Sequence, residues 1–364
     1  MKIVDKFILK QYLTTFFFCL LLFLTIIVVV DISEHTDDFV QSKLSTKEIF
    51  TEYYLGFIPR MIAMLFPLFV FIAVIFFTSK MAGRSEIIAI LSSGVTFNRF
   101  MRPFFIGGAF LTLLLWAGYL YVVPKANRKW ADFDKNYIKV NTAAGRNNKS
   151  YKQNMYFTVG PNAYVGIKGY DTLSKTGIGL FVQDFEDHKL AYNLRANTFR
   201  WDSLSQQWKL ENVIERTLHP INESVKFSYE MQKDLNFKPI ALREDNYLKD
   251  QMTTRQLNQF IEMEKARGSE MVKSLLVEKH NRLATPVSVF ILTLIGVSIA
   301  SKKTRGGSGA HLALGVLISV MYILFGRFSM VFASQGNFTP WLAAWTPNII
   351  FGLLAIYLYR RASA

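Results

Sequence analysis

Six stretches of this chain carry no charged residue for about the length of a bilayer crossing: 11–30, 61–79, 103–124, 283–301, 306–326 and 328–359. At 1.5 Å per residue a helix needs ~20 apolar residues to cross the hydrocarbon core, so the first five read as single transmembrane helices. The sixth is too long for one span. It contains Ser334-Gln335-Gly336-Asn337 and then Pro340, so only residues 341–359 need cross. The pattern predicts three spans, a long polar segment, and three more spans.

Lys and Arg placement sets the orientation. With the N-terminus in the cytoplasm, the short cytoplasmic pieces are 1–10, 80–102, 302–305 and 360–364, which hold twelve basic and two acidic residues. The first outside loop, 31–60, holds three basic and six acidic ones. Both termini are therefore expected in the cytoplasm and the segment from 124 to 282 outside. The net charge of +15 reflects this asymmetry and does not call for a nucleic-acid partner. The basic residues Lys2, Lys6 and Lys10 precede an apolar run with no small-residue cleavage site, which predicts an uncleaved first helix. The single cysteine, Cys19, excludes a disulfide framework.

Residues 150–240 switch to short runs rich in aromatic and branched residues, such as AYVGIKGYD and IGLFVQDFED, punctuated by Gly, Pro, Asn and Asp. They predict an all-β insert of sandwich or jelly-roll type. The fold class is thus a membrane α-helical protein, six spans arranged 3+3, with an inserted periplasmic jelly-roll-like domain. The expected divisions are 1–123 with spans one to three, 124–253 for the β domain and its flanking extension, and 254–364 with a helix and spans four to six. Ser45-Thr46-Lys47-Glu48 fits a capping box, and Thr253 or Thr254 caps a later helix.

Between spans two and three lies KMAGRSEIIAILSSGVTFNRFMRP, Lys80 to Pro103, too polar for lipid. Ser85 suits a helix start, Ile87, Ile88 and Leu91 fall on one face, and Gly94 suits a left-handed stop. Such a helix must set its apolar face on the bilayer surface, the rest of the chain, or a partner.

Catalytic signatures are missing from the sequence. The nearest string to a phosphate loop, Gly145 to Ser150, lacks the Gly before Lys149. The histidines His35, His188, His219, His280 and His311 form no close pair at ligand spacing. Asp31, Glu34, His35, Asp37 and Asp38 read more simply as a polar helix end than as a metal site. The chain is expected to be no enzyme and to need no metal or cofactor. Arg60, Arg282, His311 and Arg327 sit near span ends and read as snorkelling side chains. Gly107-Gly108, Gly118 and Gly306-Gly307-Ser308-Gly309 read as close-packing or flexible positions.

This layout resembles the LptF/LptG permease family of the lipopolysaccharide exporter. Arg84-Ser85-Glu86-Ile87 followed by Ser93-Gly94 is similar to the family's coupling segment, and Val4-Asp5-Lys6-Phe7-Ile8 resembles the opening of its LptG branch. Trp345-Thr346-Pro347-Asn348 and Tyr359-Arg360-Arg361 also match in kind. Where better-known members of the LptG branch carry basic residues at the outer end of span one, this chain carries Asp31, Glu34, Asp37 and Asp38. The resemblance implies an inner-membrane permease subunit of an ABC transporter, driven by a separate LptB-type ATPase dimer and paired with a second LptF/LptG-type permease. Lipopolysaccharide would enter between spans one and five of opposing subunits and leave through LptC/LptA-type jelly-roll proteins. The ATPase-coupling residues would be Arg84, Ser85, Glu86, Ile87, Ile88, Leu91 and Gly94, with headgroup contacts at Arg60, Lys125, Arg128 and Arg327. The alternatives are a membrane-anchored periplasmic scaffold or assembly factor, and a permease for another lipid or for lipoproteins.

Overall fold

The computed structural model describes residues 2–138, 151–160, 162–171, 174–186, 189–219, 222–235, 237, 239–242, 248–266, 269, 271–302, 307–335 and 338–363. The Gly145–Ser150 string, His188, Gly268, Lys303, Arg305, Gly306 and Gly336-Asn337 lie outside the described residues. The chain divides into two compact units. One comprises residues 1–137, 249–258 and 273–364, and the other 138–248 and 259–272.

In the first unit, α1 spans Ile3–Ser42. α2 (Thr46–Ile49) continues through a π turn, Phe50–Tyr54, into α3 (Leu55–Gly83). The short α4 is Glu86–Ser92. α5 (Phe97–Ala117) continues through another π turn, Gly118–Val122, into α6 (Val123–Phe133). Further along the chain, α7 is Leu248–Gln251, α8 is Thr254–Ala266, which the division between units cuts after residue 258, α9 is Met271–Ala300, α10 is Gly307–Gln335 and α11 is Pro340–Ser363. Among the described residues, six helical stretches are long and apolar enough to cross a membrane: Ile3–Ser42, Thr46–Gly83, Phe97–Ile138, Met271–Ala300, His311–Ala333 and Pro340–Ser363.

Local chemistry accounts for the helix ends. Asp5 accepts from the Lys2 amide at 2.9 Å. Glu48 accepts from the Ser45 amide at 2.8 Å while the Ser45 hydroxyl accepts from the Glu48 amide at 3.3 Å, so the capping box forms. Thr253 and Gln256 make the equivalent exchange at the start of α8. Pro59 and Pro67 lie inside α3, where each removes one ladder hydrogen bond.

The spans differ sharply in how much of their surface this chain covers. The apolar windows of α3 and α9 are each 61% buried, so they form the middle of the unit. Those of α1 and α10 are 6% and 17% buried. One core joins Ile8, Tyr12 and Phe16 of α1 to Phe66, Val70 and Phe77 of α3 and Phe100, Met101 and Phe104 of α5. The close approach of α1 and α5 depends on Gly107, where an added Cβ would lie 2.6 Å from the Tyr12 ring. Beside it the Tyr12 hydroxyl reaches Thr293 Oγ1 of α9 at 3.2 Å. A second core joins Phe71 and Ile75 of α3 to Leu292 and Ile295 of α9 and Phe351 of α11.

The second unit holds a six-stranded antiparallel sheet with its strands in sequence order: β1 Tyr151–Thr158, β2 Ala163–Asp171, β3 Thr176–Glu186, β4 Lys189–Asp202, β5 Gln207–Leu218 and β6 Glu223–Lys233. The inserted β domain expected from the sequence is present, and its described residues form one six-stranded sheet. Side chains alternate between faces with period two. Ile167, Leu180, Ala196 and Val213 face one another across the register and are buried. Phe181, Arg195, Ile214 and Phe227 line the opposite face. Leu235, Phe237 and Leu242, which follow β6, complete the core, and Trp208 Nε1 donates to the Phe237 carbonyl at 2.8 Å.

Candidate functional site

α4 is the short helix placed between two spans. Its N-cap, Ser85, has a left-handed backbone at φ 62° and makes no side-chain capping bond, so the expected Ser85 cap is replaced by a backbone turn in which the Ser85 amide donates to the Ala82 carbonyl at 3.0 Å. Gly94 takes the left-handed stop at φ 86°. The one face expected for Ile87, Ile88 and Leu91, and their shared contact with an ATPase, are corrected: the three residues divide. Ile87 is 1% exposed and belongs to the core of α1, α3 and α5, with Leu91 packed partly against it. A seven-residue helix rotates 100° per residue, so the same turn that buries Ile87 leaves Ile88, Ala89 and Ser92 exposed. Arg84 and Glu86 stand 3.8 Å apart as an exposed ion pair. α4 is thus bolted to its own bundle along one side and open along the other.

The motif residues around this region turn out to be fasteners. Arg99 of α5 approaches Asp5 of α1 at 4.0 Å. The Tyr359 hydroxyl donates to Asn98 Oδ1 at 2.6 Å, and its ring lies 6.1 Å from that of Phe97. Asn348 is 4% exposed, donates to the Ala284 carbonyl at 2.6 Å and accepts from Tyr322 at 2.9 Å, which ties α9, α10 and α11 together.

The basic residues singled out for headgroup contact do not share one environment. The Arg60 guanidinium lies over the Trp130 ring at 3.6 Å, a cation–π arrangement. Lys125 and Arg128 of α6 are exposed, as is Arg327 of α10. Arg282 and His311, expected to snorkel, are instead buried, at 5% and 7% exposure. Arg282 donates Nε to Glu278 at 3.0 Å, Nη1 to the Met252 carbonyl at 2.8 Å and Nη2 to the Lys249 carbonyl at 2.8 Å. His311 Nε2 lies 2.9 Å from the Lys302 carbonyl. Nothing in the sequence marked Arg282 as a clamp, because its carbonyl partners lie some thirty residues away.

Asp250 of α7 sits in the field of Lys249, Arg60, Arg282 and Arg327. Burial nevertheless holds its carboxyl above the usual carboxylate range, outweighing the four cations. Of the acidic residues near the end of α1, Glu34 and Asp37 are exposed while Asp31 is buried. No group of three or more His, Cys, Asp or Glu side chains among the described residues is placed to hold a metal.

Six apolar helices, an inserted antiparallel sheet and a short amphipathic helix between the second and third spans define a polytopic membrane protein with a β domain. The family model for the lipopolysaccharide export system permease LptF/LptG matches residues 6–361, and the chain belongs to that family. It is therefore a multi-pass inner-membrane protein and a permease subunit of lipopolysaccharide export. The family covers LptF and LptG alike. No curated protein gives a significant match to the chain.

Proposed function

We propose that this permease is driven by a separate ATPase that docks on α4, and that Ile88, Ala89 and Ser92 form the contact, with Arg84 and Glu86 at its rim. The observation that carries the reading is the divided helix. Ile87 fixes α4 to the core, so a push on the exposed side is transmitted to α1, α3 and α5 instead of being absorbed by a loose loop. The charge asymmetry of the sequence supports a cytoplasmic position for this segment.

α1 and α10, the least covered spans, would meet a second permease of the same family and the lipid that passes between them. Moving a lipid with several acyl chains out of a bilayer costs about 0.8 kcal/mol per CH₂, so export needs hydrolysis coupled to closure of the cavity. Lys125, Arg128 and Arg327 are the exposed cations proposed to meet lipid phosphates, with Arg60 held against Trp130 beside them. The β domain would hand the acyl chains to jelly-roll proteins of the LptC and LptA type.

The test is affinity purification of the tagged full chain from membranes. Wild type is expected to bring down a soluble ATPase, and Ile88→Asp and Glu86→Ala to lose lipid export relative to ATP hydrolysis while still inserting. Normal export and normal ATPase retention in both variants would remove α4 as the docking site.

A further inference from the structure

α1 is the least covered span, and its fully buried residues fall in two groups. Near its N-terminus Ile8, Tyr12, Thr15 and Phe16 are buried, and near its C-terminus Asp31 and Phe39 are. None of the fourteen residues between Phe16 and Asp31 is fully buried, over ~20 Å at the α-helical rise; Cys19, Leu20, Phe23 and Ile27 pack partly against the same core, with Phe23 stacked on Phe69 at 5.4 Å. The second attachment is partly polar: Phe39 packs on Tyr53 and Phe133, and Asp31 is hydrogen-bonded. Asp31 is 5% exposed, and its two carboxylate oxygens accept from different tyrosines: Oδ1 from Tyr53 at 2.9 Å and Oδ2 from Tyr54 at 2.9 Å. His35, one turn on, has Nδ1 3.4 Å from Asp31 Oδ1.

Both tyrosines lie in the π turn Phe50–Tyr54, and both side chains reach the one carboxylate. The aromatic surroundings hold them there. Tyr53 stacks on Phe57 with ring centroids 5.4 Å apart and meets Phe39 at 5.3 Å and Phe133 at 5.1 Å. Just beyond, a Cβ added at Gly56 would lie 2.6 Å from the Trp130 amide nitrogen, so α3 and α6 are in backbone contact. Asp31 therefore ties a loosely covered helix to a rigid pair of helices.

We propose that Asp31 is a positioning residue for export: with Tyr53 and Tyr54 it latches the C-terminal end of α1 and sets how far the half-covered stretch 17–30 moves from α3. The placement of that stretch beside the lipid rests on the reading of α1 given above. The latch adds two directed hydrogen bonds on one carboxylate to the aromatic packing of Phe39.

The test uses the full chain in phospholipid nanodiscs with Cys19 replaced by Ser. Nitroxide pairs at Val40 and Leu283 report the C-terminal end of α1, and pairs at Phe7 and Ile356 report its N-terminal end. Asp31→Asn and the double change Tyr53→Phe, Tyr54→Phe are expected to widen the first distance distribution at least twofold and to leave the second unchanged. Tyr54→Phe alone keeps the Tyr53 bond and gives an intermediate width, and it serves should the stronger variants fail to insert. An unchanged first distribution overturns the latch. Equal widening at both ends also overturns it, because that is loosening of the whole bundle. A photo-crosslinker at Ile26 in the wild-type sequence reads the other premise. If it captures no lipopolysaccharide, α1 does not border the lipid, and the spin-label result stands or falls by itself.

Discussion

Ile87 and Ile88 are neighbours in sequence on different faces of α4: Ile87 is 1% exposed and Ile88 50%. The two positions therefore separate folding from docking. Ile87→Ala removes buried methyl groups from the core and is expected to cost ~2–5 kcal/mol, seen as a lower melting temperature in detergent. Ile88→Asp is expected to leave the unfolding free energy within ~0.5 kcal/mol of wild type, as surface changes do, and to release the ATPase. If both variants melt alike, the helix is not divided in this way.

The packing of α1 on α5 gives a second pair of outcomes. An added methyl group at Gly107 has no room, since its position lies 2.6 Å from the Tyr12 ring. Gly107→Ala is expected to destabilise the protein by ~1–3 kcal/mol through overpacking. Tyr12→Phe keeps the ring and loses only the hydroxyl contact with Thr293, which also donates to the Val289 carbonyl at 2.8 Å. Its expected cost is ~1 kcal/mol. Thermal unfolding in one detergent compares the two, and a larger loss for Tyr12→Phe would show that the hydrogen bond, not the fit, holds α1 here.

The spans, the β insert, the Ser45 capping box and a cap at Thr253 or Thr254 were legible in the sequence because each has a local cause. Charge-free length, period-two alternation and a Ser or Thr three residues before Glu or Gln all act within one element. The division of α4 was not legible. Ile87, Ile88 and Leu91 are equally apolar, and only the tertiary placement of α4 against α1, α3 and α5 selects Ile87 for the core. Asp31 was hidden for the same reason. As one acid among Glu34, Asp37 and Asp38 it looked like solvated surface, and the π turn that brings Tyr53 and Tyr54 to it has no signature in composition. Arg282 looked like an end-of-span cation until its carbonyl partners were in place.

Asp250 gives a pH dependence with a definite sign. Its carboxyl is held above the usual range by burial, so the folded protein binds this proton more tightly than the unfolded chain does. The stabilisation is complete below the ordinary carboxylate range, about pH 4, and is lost as pH rises through the higher folded-state value. Asp250→Asn is expected to flatten that fall in melting temperature with rising pH. Melting curves of both proteins across the acid range check this, and a fall of equal slope in the variant would assign the pH dependence to another group.

Arg282 offers the sharpest energetic test, because all three kinds of guanidinium nitrogen have partners: Glu278, the Met252 carbonyl and the Lys249 carbonyl. These bonds join α9 to the segment around α7, to which Asn127 of α6 also donates through the Asp250 carbonyl at 2.9 Å. A Lys at 282 has a single nitrogen on a flexible stem and cannot reproduce the fork. Arg282→Lys is therefore expected to be destabilising, and Arg282→Met more so, because Glu278 is left with little solvent at 17% exposure and no partner. Breaking one side of a buried pair costs ~3–5 kcal/mol. Adding Glu278→Gln to Arg282→Met removes the stranded charge and should recover part of that loss, while Glu278→Gln alone should cost less than Arg282→Met because the two carbonyl bonds remain. A double-mutant cycle of unfolding free energies measures the coupling. Additive losses would mean that the ion pair contributes nothing beyond its separate members, and that Arg282 acts only through the Met252 and Lys249 carbonyls.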